Sequence, residues 1–191
     1  MSPLTIFILL SSLATGTVAV FSSSHWFLAW IGLEINTLAI IPLMTKQYHP
    51  RAVEAGIKYF LTQAAASALL LFAAINNAWS AGSWDILDVA SPLSTSSITI
   101  ALLMKLGVAP FHFWLPEVLQ GITLQTGLIL STWQKLAPLT LIIQSSSNLN
   151  TGILLLFGII STLVGGWGGL NQTQLRKIMA YSSIAHLGWM M

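Results

Sequence analysis

Two resources that most proteins draw on are scarce in this sequence. Cysteine is absent, so the chain can form no disulfide of its own and can hold no thiolate-bound zinc or iron–sulfur cluster. Any redox centre working with this protein must therefore belong to a partner. Charge is the second scarcity: Asp, Glu, Lys and Arg make up 6% of the 191 residues, where a soluble domain carries about 25%. The seven basic and five acidic residues leave a formal +2 and a pI near 9.2. They are too few and too scattered for a nucleic-acid surface.

What the sequence has instead is apolar length. It is 55% hydrophobic, with a mean hydropathy of +0.80. Charge-poor runs of spanning length fall at about 3–22, 26–45, 59–79, 93–114, 122–144 and 151–170, with a shorter seventh from about 176. These runs are too long for barrel strands, and a helix satisfies its own backbone in lipid. The fold class they predict is an all-α membrane protein, a polytopic helical bundle of about seven spans, with residues 1–191 as one transmembrane domain. The N-terminal run has no basic leading region, so it reads as a mature span rather than a removable signal. The last apolar segment, IMAYSSIAHLGWMM, is short of the ~20 residues a span needs, and is expected to continue.

Short polar connections separate the runs, at 22–25, 46–58, 80–92, 145–150 and 171–177. Lys46, Arg51 and Lys58 fall on one side, and Arg176 and Lys177 return to it after an even number of crossings, while Asp85 and Asp88 lie opposite. By the positive-inside rule the basic loops and the N-terminus face the cytoplasm or matrix. Trp26, Trp30, Trp79, Trp84, Trp114 and Trp189 lie near span ends and read as interfacial anchors. The stretch GGWGG at 165–169 lacks the Lys and Ser/Thr of a phosphate loop and reads as close helix packing.

Three charges do not fit the connections. Glu34, Lys105 and Lys135 sit near the middles of their spans, where a charge costs roughly 2.5–3.5 kcal/mol by insertion scales. Ionisable residues in such places line polar paths, and an amine poised between desolvation and a nearby carboxylate can exchange a proton. His112 and His186 also fall inside apolar segments, and each could relay a proton or simply pack. Asn36, Thr37, Ser131, Thr132, Gln134, Ser182 and Ser183 recur around these groups and could hold water, although hydroxyls in helices commonly bond their own backbone.

The span that carries Lys105 reads LLMKLGVAPFHFWLPE. Pro110 lacks an N–H and its ring opposes the carbonyl of Leu106, so the helix is expected to open there. Freed carbonyls at membrane depth are tolerated only against protein or a water-filled cavity. Lys105 would stand at the C-terminal, negative end of the first half-helix, which favours its protonated form.

Taken together, KLGVAPFHFWLPEVLQG, EAGIKYFLTQAAASALLL at 54–71 and LRKIMAYSSIAHLGWMM resemble the antiporter-like membrane subunits of respiratory complex I. The likeness runs through essentially the whole chain, and a start at MSPLTIFILL resembles the shortened mitochondrial form found in animals. The resemblance implies two inverted repeats of five helices, each with one broken helix, of which this chain holds the first and the start of the second. It implies that Glu34 modulates Lys105 and that Lys135 carries the proton onward, with His112 and His186 in family motifs. It also implies no cofactor or metal in this chain, since flavin, iron–sulfur clusters and ubiquinone belong to other subunits. The implied partners are those membrane subunits and the lipid bilayer of the mitochondrial inner membrane, with no small-molecule substrate other than protons. Two rival readings remain at this point: a subunit of an independent cation/proton antiporter, and a spacer whose charges only pack helices.

Overall fold

The computed structural model describes residues 2–46 and 48–191. Met1 lies outside them, as does Gln47 in the expected 46–58 connection. Eight α-helices follow in chain order: α1 Pro3–Ser22, α2 Trp26–Met44, α3 Pro50–Ala81, α4 Pro92–Leu106, α5 Trp114–Gly121, α6 Leu124–Gln144, α7 Thr151–Leu170 and α8 Leu175–Met190. Their starts are written in the sequence. In α1, α3 and α4 a proline opens the first turn, where its missing N–H costs nothing, and the residue before it (Ser2, His49, Ser91) caps a free backbone amide. Thr123 and Asn150 cap α6 and α7 in the same way.

Helices α1, α2, α3 and α7 are each long and apolar enough to cross a membrane, and the chain is a multi-pass membrane protein. Two expected boundaries move. Helix α3 begins at Pro50, so residues 50–58 of the expected connection are helical, because polarity marks where a helix leaves hydrocarbon and not where it ends. The expected 93–114 span is helical only as far as Leu106, the end of α4; an irregular segment follows, and α5 begins at Trp114, where the span was expected to end. Its break comes before Pro110. Gly107, in the left-handed region at φ 76°, closes α4 by donating to the carbonyls of Leu103 and Met104.

Antiparallel pairs build the bundle. α1 and α2 pack where Gly16 and Gly32 let their backbones meet, and α7 and α8 pack through Gly158, Gly165 and Gly188. Within GGWGG, Gly165 and Gly168 thus pack against α8, while Gly166 faces open space. At one end Arg51, Lys58 and Lys177 gather around a common cleft. At the other, the 82–91 loop folds over the helix ends: Trp26 N–H donates to Trp84 O, and Ile86 N–H donates to Ser24 O.

Buried apolar side chains form two clusters. One includes Val20, Leu33, Leu70, Ala73, Leu102 and Leu141; the other includes Leu13, Ile40, Tyr59, Leu115, Leu130 and Ile184. Several helices cross from one cluster to the other at buried polar residues: Thr17 in α1, Asn36 and Thr37 in α2, Gln63 and Ser67 in α3, and Lys135 in α6. A polar layer therefore divides the core across its middle.

Candidate functional site

The layer is organised where α2, α3 and α4 meet. Lys105 is the next-to-last residue of α4, its side chain 5% exposed. Its Nζ donates to Ser67 Oγ at 2.8 Å, and the Ser67 hydroxyl donates to Glu34 Oε2 at 2.6 Å. The expected acid and amine are thus joined through a third helix. They form no direct ion pair; among the described residues the salt bridges are those of Lys58 with Glu54 and Glu117.

Several contacts hold this geometry. Trp30 Nε1 donates to the Ser67 carbonyl at 3.1 Å, and Gln63 Nε2 donates to the Lys105 carbonyl at 3.3 Å. The second bond satisfies an acceptor that the end of α4 leaves free. Gly107 admits the indole of Trp114, since a Cβ there would stand 3.1 Å from its Cζ2. Trp114 in turn packs edge-on against Tyr59 with centroids 5.6 Å apart.

Trp26, Trp30 and Trp114 are therefore core residues and not interfacial anchors: Trp26 and Trp114 are buried, and Trp30 spends its N–H on Ser67. Trp79 and Trp189 do face outward. Trp84 stacks on the ring of His25 at 5.5 Å. Of the three in the core, only Trp30 pairs its indole N–H, and those of Trp26 and Trp114 are buried without a hydrogen-bond partner among the described residues, so apolar packing seats them.

Lys135, from α6, is also buried, and it makes no ion pair among the described residues. It shares with Lys105 a small cavity of about 10 Å³, which Asn36, Tyr59, Gln63 and Gln134 also line. That is space for about one water molecule between two amines. The Asn36 amide has no hydrogen-bond partner among the described residues, and the residue's backbone carbonyl accepts from Gln134 Nε2 at 3.2 Å.

The two histidines fall elsewhere. His112 is buried in the segment between α4 and α5, its ring 6.2 Å from that of Tyr181. Tyr181 lines the cleft at the basic end, about 590 Å³ in volume, beside Lys58, Glu117 and Lys177. His186 is exposed on α8, and the structure does not join it to the Glu34–Lys105 group. The hydroxyls of Thr37, Ser131, Thr132, Ser182 and Ser183 all bond carbonyls of their own helices. Ser67 departs from that pattern, and the sequence reading missed it. A signal was available: Tyr59, Gln63 and Ser67 repeat at intervals of four in an apolar run, which puts them on one helical face.

Comparison with known proteins gives concordant results. A family described as "NADH:quinone oxidoreductase/Mrp antiporter, TM" matches residues 23–191. NADH-ubiquinone oxidoreductase chain 2 of Xenopus laevis is 68% identical over 190 residues, covering 100% of this chain and 55% of that protein. The Salmo salar protein of the same name is 65% identical, covering 100% and 54%. The chain thus spans about half the length of the curated relatives it matches. Among solved structures, a chain of respiratory complex I from Thermus thermophilus with bound aureothin superposes with a TM-score of 0.92 at 30% identity, covering 100% of this chain and 45% of that one. A chain of the Mrp complex from Dietzia sp. DQ12-45-1b shares the fold, with a TM-score of 0.85 at 18% identity over 95% of this chain and 37% of that one.

Proposed function

The chain belongs to the NADH:quinone oxidoreductase/Mrp antiporter transmembrane family, and from that premise we propose that it is part of a proton-translocating membrane subunit of NADH:ubiquinone oxidoreductase. In this reading it works in the mitochondrial inner membrane, with its basic end and N-terminus toward the matrix, as one transmembrane domain. Flavin, iron–sulfur clusters and ubiquinone sit in or against partner subunits, and the only species this chain handles is the proton. The relatives that share 65–68% of its residues support this reading over an independent antiporter, whose likeness at 18% identity concerns the fold alone.

The observation that carries the proposal is the hydrogen-bonded line from Glu34 through Ser67 to Lys105 inside an apolar bundle. A spacer does not need it, because apolar side chains of similar volume hold helices together at least as well as buried charges. A pump does, because an amine whose charge depends on a neighbouring carboxylate can be loaded and unloaded as that carboxylate changes state. Lys135, across the one-water cavity, is the next acceptor. Glu34, Lys105 and Lys135 are the groups assigned to proton transfer, with His112 between them and the basic cleft. His186 is assigned to a later part of the path.

The test is the ratio of protons moved to NADH oxidised in sealed membranes, with a native gel for assembly. Lys105→Ala should assemble and lose proton transport. Lys58→Ala should transport normally, since Lys58 is only partly buried and is held by Glu54 and Glu117 at the basic end. Normal transport by Lys105→Ala would refute the proposal.

A further inference from the structure

We propose that the Ser67 hydroxyl is the relay through which a proton passes between Lys105 and Glu34; the inference rests on the proton-translocating reading above. No direct ion pair joins the two groups, so a proton moving between them needs an intermediary that both donates and accepts. A hydroxyl has one donor and two acceptor lone pairs, and Ser67 already uses both capacities, accepting at 2.8 Å and donating at 2.6 Å.

The step balances. An N–H bond of the Lys105 ammonium breaks as that hydrogen bonds to Ser67 Oγ. The original Ser67 O–H breaks as its hydrogen bonds to Glu34 Oε2. A cation and an anion become a neutral amine and a carboxylic acid, the hydroxyl is regenerated, and net charge is unchanged. The hydrogen bonds then run the other way, from Glu34 to Ser67 and from Ser67 to the amine nitrogen. No side chain has to leave its place, which suits a site fixed by Trp30 and Gln63. Lys105 and Ser67 are 5% and 4% exposed, while Glu34 is only half-buried, so the relay links the core to the flank of the bundle.

Serine at this position is not explained by helix building. Alanine is the better helix former, three alanines precede Ser67, and most of the chain's other helical hydroxyls bond their own backbone. Only the cross-helix chain uses this one.

The experiment compares Ser67→Ala, Ser67→Thr and Lys105→Ala in the assembled complex. Proton transport per NADH is read in sealed membranes, uncoupled NADH:ubiquinone activity serves as the control, and infrared difference spectra taken during turnover serve as a second readout. Ser67→Ala should retain uncoupled electron transfer and lose proton transport, and Ser67→Thr, which keeps the hydroxyl, should recover it. A carboxylic-acid band that Glu34→Gln abolishes should also vanish in Ser67→Ala. Normal transport in Ser67→Ala beside a silent Lys105→Ala would overturn the relay alone, whereas normal transport in both would overturn the underlying reading. A Ser67→Thr complex that assembles without recovery would also overturn the relay. If Ser67→Ala fails to assemble, Ser67→Cys, nearly equal in size with a weakly hydrogen-bonding thiol, carries the same comparison.

Discussion

A carboxylate and an ammonium removed from water each lose several kcal/mol of hydration, and their attraction repays this only where hydrogen bonds complete their shells. For Glu34 and Lys105 the completing group is Ser67, so the three side chains stand or fall as a unit. Removing one charge strands the other. Lys105→Met or Glu34→Gln alone should leave the complex assembled but lower its melting temperature, by an effect of roughly 3–5 kcal/mol if nothing compensates. The double substitution should restore much of the loss while leaving proton transport absent. Melting temperatures of the detergent-solubilised complex across this cycle measure the coupling, and strictly additive losses would show that the two groups do not interact. Glu34, Lys105 and Lys135 stand out in sequence because charge in a span is costly. Ser67 does not, because a hydroxyl in a helix satisfies itself locally in most places and is costly to nobody.

At the level of the element, one helix end and one helix–helix contact depend on what glycine permits. Gly107 combines a left-handed backbone at φ 76° with the close approach of Trp114. Gly107→Ala should cost about 1–2 kcal/mol in backbone strain alone. It should also push the indole off the end of α4, seen as a lower melting temperature of the detergent-solubilised complex. In α7 the contrast is internal. A Cβ on Gly165 would meet the Ala185 backbone nitrogen at 2.6 Å, while one on Gly166 would meet nothing within 4 Å. Gly165→Ala should therefore separate α7 from α8 and lower the yield of assembled complex, and Gly166→Ala should be neutral. Pro110 was the sequence's most visible helix breaker, yet α4 ends at Gly107, because a glycine that can complete a C-terminal cap stops the helix first.

Across the whole molecule, one end is polar and open and the other is sealed. The seal depends on Asn77, whose amide donates to Asp88 O at 2.7 Å and accepts from Ala90 N–H at 3.1 Å, with its side chain fully buried. Asn148 also donates to the Leu87 carbonyl, and His25 bridges to Asp85. Asn77→Leu would remove both hydrogen bonds to the loop, at Asp88 O and Ala90 N–H, each contributing about 0.5–1.5 kcal/mol. Faster amide exchange at Ile86 and Ala90 should follow, while unchanged exchange would show that the loop is held by other contacts.

The sequence by itself determined the helices, their caps, the shared side of the basic loops and the presence of three costly charges, because hydrophobic length, proline and charge act locally along a chain. Only the tertiary structure decided which groups meet. Ser67 lies 33 residues from Glu34 and 38 from Lys105, and Lys105 and Lys135 share a cavity although they sit on different helices. The seating of Trp30 and Trp114 in the core was decided at the same level. Spacing along one helix predicts a face; which face of which neighbour it meets depends on the packing of all the helices at once, and no local pattern records that.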